Sequence, residues 1–101
     1  MIFVTGEIVV EEGALELVKD ALNEMEQETR KEPGCLTYAF SVDVNDPSMV
    51  RIFERWESMD ALKAHFGAPH MAAFGQAIVK ITPRSSAVTA WDVAGEVALP
   101  N

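Results

Sequence analysis

The chain has 101 residues, 49% of them hydrophobic, and 16 acidic side chains against 8 basic ones give a formal net charge of −8. The length suits one domain with a modest core and leaves no room for a separate cofactor module, and the charge disfavours nucleic acid and anionic membranes because the only paired bases, Arg30-Lys31, sit between Glu28 and Glu32. The lone Cys35 excludes an internal disulfide, and no basic region precedes the first apolar residues, so a soluble, cytoplasmic protein is expected, its apolar surplus pointing to oligomerisation or an apolar cavity.

Ile2 to Val10 is rich in β-branched residues and reads as a strand with Ile2, Val4, Ile8 and Val10 on one side. Glu11-Glu12-Gly13 opens a helix whose apolar face is Ala14/Leu15, Val18, Ala21/Leu22 and Met25. Pro33-Gly34 limits that helix to Lys31 or Glu32. Its acids, at 16, 20, 24, 26 and 28, read as a solvated face. Cys35 to Val44 alternates, with Leu36, Tyr38, Phe40 and Val42 sharing a face. Asn45-Asp46-Pro47-Ser48 is turn chemistry, and Met49 to Trp56 alternates again with Val50, Ile52, Glu54 and Trp56 together. Ser58 caps a short helix, Met59 to Phe66. Pro69 starts another, carrying Met71, Phe74 and Ala77/Ile78, which Thr82-Pro83 ends. Arg84 to Val93 is the last strand, followed by a tail over residues 94–101.

The order is β-α-β-β-α(α)-β across a single domain, residues 1–101. This predicts an α+β, ferredoxin-like split βαβ fold, a four-stranded antiparallel sheet with helices on one face. The other face stays open and apolar, and a homodimer stacking two sheets would cover it.

Motifs for chemistry are sparse. There is no phosphate loop, nucleophile elbow or His-x-x-x-His, and His65 and His70 lack nameable further ligands, so no cofactor and no metal is assigned. His65 lies three residues after Leu62, at the border of the apolar helix face. Position alone favours a half-buried histidine bonded to backbone over a general base facing a pocket. His70 reads as a surface residue at a helix start. Phe40, Phe53, Phe66 and Phe74 read as core, whereas Tyr38 and Trp56 carry polar handles suited to lining a pocket for a flat aromatic ligand. Glu54, an acid on an apolar strand face, is expected to pair with Arg51, Arg55 or Arg84, and Cys35 to serve as a small packing residue.

Three segments in this order, Glu32-Pro33-Gly34-Cys35-Leu36-Thr37-Tyr38, Phe53-Glu54-Arg55-Trp56-Glu57-Ser58 and Ala64-His65-Phe66-Gly67-Ala68-Pro69-His70-Met71, resemble the antibiotic biosynthesis monooxygenase family, closest to its small bacterial quinol monooxygenase-type proteins. The resemblance implies a dimeric α/β barrel with an apolar cavity between sheet and helices. It also implies oxidation of a hydroquinone or polycyclic phenol by O₂ without metal or flavin, the deprotonated substrate itself reducing oxygen. On that basis Trp56 matches the family's strand tryptophan, and His65 and His70 its histidine segment. His65 becomes the candidate base, Trp56 and Tyr38 candidate donors, and His70, Phe66, Phe74 and Met71 candidate substrate contacts. Haem-degrading relatives carry an asparagine on the first strand where this chain has Thr5-Gly6-Glu7-Ile8, so haem degradation is not expected. Two alternatives remain. One is a non-catalytic dimer binding quinone-like molecules. The other is an isomerase of a small phosphorylated signalling sugar, for which Arg51, Arg55, Lys63, Lys80 and Arg84 are the available bases.

Overall fold

Alternating apolar residues produce four strands, and a computed structural model describing residues 1–101 joins them into one antiparallel sheet. The elements run β1 (Ile2–Val9), α1 (Ala14–Thr29), β2 (Cys35–Val42), β3 (Met49–Trp56), α2 (Met59–Phe66), α3 (Pro69–Ile78) and β4 (Ser85–Asp92). The sheet order is β2-β3-β1-β4, so β1 and β3 are central while β2 and β4 are edges. This is the ferredoxin-like split βαβ arrangement expected from the sequence. β3 and α2 have the expected bounds, while the other elements stop short of theirs by a few residues: α1 ends at Thr29, and residues 30–34 form the turn into β2.

The strand period places Ile2, Val4, Val50, Ile52, Glu54 and Trp56 beneath the helices, where all six are buried. One core cluster joins Ile2, Val4, Ile52 and Trp56 to Met25 of α1, Tyr38 of β2 and Leu62 of α2. A second gathers Val10, Ala14, Val18 and Ile81 at the other end of the helix layer. α3 contributes no fully buried residue, although Met71 and Phe74 pack against the first cluster.

Two expectations of facing need correction. The register shifts between Cys35 and Thr37, so Cys35 pairs with Trp56 and Thr37 with Arg55. That bulge turns Leu36 to solvent and packs Cys35 against the core instead. Phe53 and Phe66 are not core. Phe53 lies on the open face, edge-on to Phe3 with ring centres 5.4 Å apart, and Phe66 is 63% exposed on α2.

The helices tie down one sheet edge but not the other. On β2, the Phe40 N–H donates to Glu26 Oε2 (2.8 Å) and the Tyr38 carbonyl accepts from Arg30 Nε (2.9 Å), so one side chain of α1 and one from the turn after it occupy two of its backbone groups. Every residue of β4 is exposed, and the helix layer does not reach it.

Gly34 fixes the turn before β2. Its φ is +83°, its carbonyl accepts from the Glu57 N–H at 2.9 Å, and a Cβ there would stand 2.6 Å from Ala61 Cβ. Gly34→Ala therefore meets both backbone strain and a clash and should lose about 1–3 kcal/mol of unfolding free energy. Gly75→Ala, inside α3 with nothing within 4 Å of the added methyl, should gain roughly 0.5–1 kcal/mol from helix propensity. Urea denaturation of the two variants checks the contrast.

Candidate functional site

The site assembles where the Pro33-Gly34 turn, the end of β3 and the two short helices meet. Ser58 starts α2 by accepting the Ala61 N–H (3.2 Å), and this phase turns Leu62 and His65, three residues apart, inward. Pro69 opens α3 at its first turn, bringing His70 beside them. His65 is 1% exposed and sits among aromatic rings. Its centre is 5.0 Å from Trp56, 5.5 Å from Tyr38 and 6.1 Å from His70.

The partner of both histidines is Glu32, which the sequence reading did not single out. One carboxylate oxygen, Oε2, lies 2.7 Å from His65 Nδ1 and 2.9 Å from His70 Nε2. A carboxylate only accepts, so both ring nitrogens donate, and neutral His65 keeps its lone pair on Nε2. This corrects the expectation of a half-buried histidine bonded to backbone. His65 is fully buried and held by a carboxylate from 33 positions away. The available signal was an acid placed directly before a Pro-Gly turn in a chain with only 2 histidines.

Glu54 also departs from expectation. Arg51 pairs with Asp43 (2.7 Å) and Glu7 (3.9 Å), Arg84 with Glu11 (3.7 Å), and Arg55 donates to Thr37 Oγ1 (2.8 Å). Glu54 is instead 5% exposed and accepts the Trp56 indole N–H at 2.8 Å. Both residues point beneath the helices from alternate positions of β3, which is the sequence signal for this pair. Burial raises the Glu54 carboxyl above the ordinary carboxylate range, and the Trp56 hydrogen bond and nearby His65 offset only part of that. Burial, reinforced by Glu54, likewise holds the Tyr38 phenol well above its usual value, so Tyr38 is a donor and not a base. Burial, with Glu32 and Glu54, keeps Cys35 a thiol.

His65, Trp56, Tyr38 and His70 are thus brought together. Met71 and Phe74 pack at the border of the same core, and the Phe74 ring stacks on Phe40 at 5.7 Å. Phe66 touches the cluster only through the His65 ring, 5.7 Å away. The expected cavity beneath the helices is small and displaced. It holds about 90 Å³, lined by Ile8, Val10, Val18, Val50, Phe74 and Ile78 among others. A second cleft of about 120 Å³ borders His70, Met25 and the other side of Phe74. The bases weighed for a phosphate do not converge here, since Arg51 and Arg55 lie on the opposite sheet face.

Comparison with known proteins gives this geometry a lineage. Residues 1–77 match the family model described as antibiotic biosynthesis monooxygenase. The chain belongs to that family. It is similar to the probable quinol monooxygenase YgiN of Escherichia coli K12, 38% identical over 56 residues, which cover 48% of this chain and 54% of YgiN. It also resembles sll1783 of Synechocystis, 37% identical over 46 residues, covering 46% of this chain and 31% of that protein. The matched stretch therefore spans between about a third and a half of these curated relatives. Among solved structures, Rv0793 of Mycobacterium tuberculosis superposes with a TM-score of 0.84 at 26% identity, covering 96% of this chain and 98% of Rv0793. A Deinococcus radiodurans protein covers both chains fully with a TM-score of 0.90 at 23% identity and supports the fold.

The raised Glu54 carboxyl makes a stability prediction. A folded-state value above the unfolded one means that, across the window starting at the ordinary carboxylate range, the unfolded chain gives up this proton first. Unfolding free energy therefore falls there as pH rises. Glu54→Gln keeps an acceptor for the Trp56 N–H and cannot ionise. The difference between variant and wild type in chemical denaturation should move in the variant's favour as pH rises from acid to neutral. A pH-independent difference would remove the buried ionisable role.

Proposed function

We propose that this family member is a cofactor-independent monooxygenase that oxidises a hydroquinone or polycyclic phenol with O₂. The observation that carries the reading is the Glu32–His65 hydrogen bond of 2.7 Å inside a shell of Trp56 and Tyr38, a carboxylate-oriented imidazole in a water-poor aromatic site. The likeness to YgiN, a probable quinol monooxygenase, supports the substrate class.

In this scheme Glu32 holds the His65 Nδ1–H, and His65 Nε2 takes the phenolic proton. The electron-rich ring reduces O₂ and forms a carbon–oxygen bond to a hydroperoxide. Its O–O bond then breaks with loss of water, so that hydroquinone and O₂ yield a hydroxyquinone and H₂O. Tyr38, held as a phenol, donates to oxygen as negative charge develops. Trp56 walls the ring, and His70 shares the carboxylate that steadies His65. His70, Met71, Phe74 and Phe66 are the proposed substrate contacts.

A bicyclic substrate needs more room than the resting site offers, because about 90 Å³ falls short of the ~150 Å³ cavity that accepts a single benzene. Phe74 separates this cavity from the cleft beside His70, and α3 carries no fully buried side chain. Outward movement of α3 is therefore the entry step, joining the two spaces around Phe74 and opening a way past His70 toward His65.

The partner for the open face is a second copy of the chain. That face presents Phe3, Met49, Phe53 and Trp91 around a shallow groove of about 690 Å³, and β4 is bare on both sides. Stacking two such faces gives the dimeric barrel.

Oxygen uptake with reduced naphthoquinols and anthrones, with chelator present, tests the chemistry. The wild type should exceed autoxidation, and His65→Ala should lower turnover by about 10²–10⁴-fold, the usual worth of a general base. Ligand binding without uptake would favour the non-catalytic binding dimer, whereas neither binding nor uptake would fit a site filled by Phe74 and Met71. Light scattering at micromolar concentration should give twice the chain mass, and Phe53→Glu should halve it. A monomeric wild type would refute the barrel.

A further inference from the structure

Glu32, His65 and His70 come from three separate segments, yet one donor atom of each lies within 4.8 Å of the other two. Their side chains are 13%, 1% and 18% exposed, so the cluster is enclosed and opens to solvent only on the Glu32 and His70 side. We propose that these three residues are a binding site for a borderline divalent transition ion of the zinc type, with Glu32 Oε2, His65 Nδ1 and His70 Nε2 as its ligands.

The donor set selects the ion class. Two imidazole nitrogens and one carboxylate oxygen suit Zn²⁺, Co²⁺, Ni²⁺ or Fe²⁺, whereas Mg²⁺ and Ca²⁺ take shells of oxygen. The three donor atoms lie within 4.8 Å of one another, so binding an ion moves the two rings onto a common centre. Tetrahedral ligands at the usual Zn–N and Zn–O lengths stand about 3.3 Å apart. Glu32 Oε2 is already 2.7 and 2.9 Å from the two nitrogens. Spreading each contact by roughly half an ångström admits the ion in place of the two shared protons. Each neutral ring moves its proton to its other nitrogen, turning a lone pair inward. The fourth position is left for water on the side where Glu32 and His70 are partly exposed.

The consequence for His65 is specific. An ion on Nδ1 leaves the ring's proton on Nε2, so the loaded chain lacks the free imidazole acceptor that the metal-free chain has. This site does not depend on the oxygenase reading, and its test contains no substrate.

The experiment is titration of the tag-free, chelator-stripped chain with Co²⁺, followed by visible absorbance, and with Zn²⁺, followed by calorimetry. One ion per chain is expected, with the intense d–d bands of a low-coordinate cobalt site and no heat from Mg²⁺. Glu32→Gln and His70→Ala should each weaken binding by at least about 100-fold, the upper end of what losing a mere outer partner costs. Glu32→Gln is isosteric, which keeps the test valid if His70→Ala fails to fold. Glu28→Gln and Cys35→Ser should bind as wild type. Absence of saturable uptake, uptake unchanged in Glu32→Gln, or uptake that is lost with Cys35 would each overturn the assignment.

Discussion

One carboxylate oxygen shared between two imidazole rings organises this end of the molecule. Glu32 stands in the turn between α1 and β2, His65 on α2 and His70 on α3, so the pair of hydrogen bonds at 2.7 and 2.9 Å links three segments that the sheet alone does not join. The turn can hold Glu32 there because Gly34 supplies a positive φ and fits flush against Ala61. Buried polar groups are tolerated only when partnered, and here each partner also fixes a geometry. Loss of Glu32 would leave both rings without this partner, and for the buried His65 no solvent is at hand to replace the bond.

A second polar pair sits deeper. Glu54 and Trp56 rise from the same strand face and satisfy one another, which explains how an acid survives in a core that also holds Ile52 and Leu62. The arginines expected to serve Glu54 are on the far sheet face or at its margin, occupied with Asp43, Glu7 and Glu11. The sheet thus separates two electrostatic worlds. Exposed ion pairs lie on its open face and on the outer side of α1, and beneath the helices burial shifts Glu54 and Tyr38 toward their protonated forms.

How much of this was legible in the chain follows from the range of each signal. Hydrophobic period and turn chemistry are local, and they placed all seven elements and the faces of β1 and β3. The bulge after Cys35 broke the inference for β2, because one extra residue reverses which side Leu36 occupies. Phe53 and Phe66 were misread because apolar character does not say which side of a sheet or helix is covered. Within the site, Tyr38, Trp56, His65 and His70 could be named from residue type and family likeness. Glu32 could not, since its role rests on contacts 33 and 38 positions away.

The unequal edges of the sheet also set how the protein can associate through its backbone. With Glu26 capping the Phe40 N–H and Arg30 the Tyr38 carbonyl, β2 is hindered from accepting a further strand, while β4 carries no such caps. A building block with a single open edge has a valency of one. Two copies meeting along β4 would consume each other's free edge and leave only the two partly capped β2 edges. Backbone pairing along such an edge would stop at a pair, a check on growth into fibres.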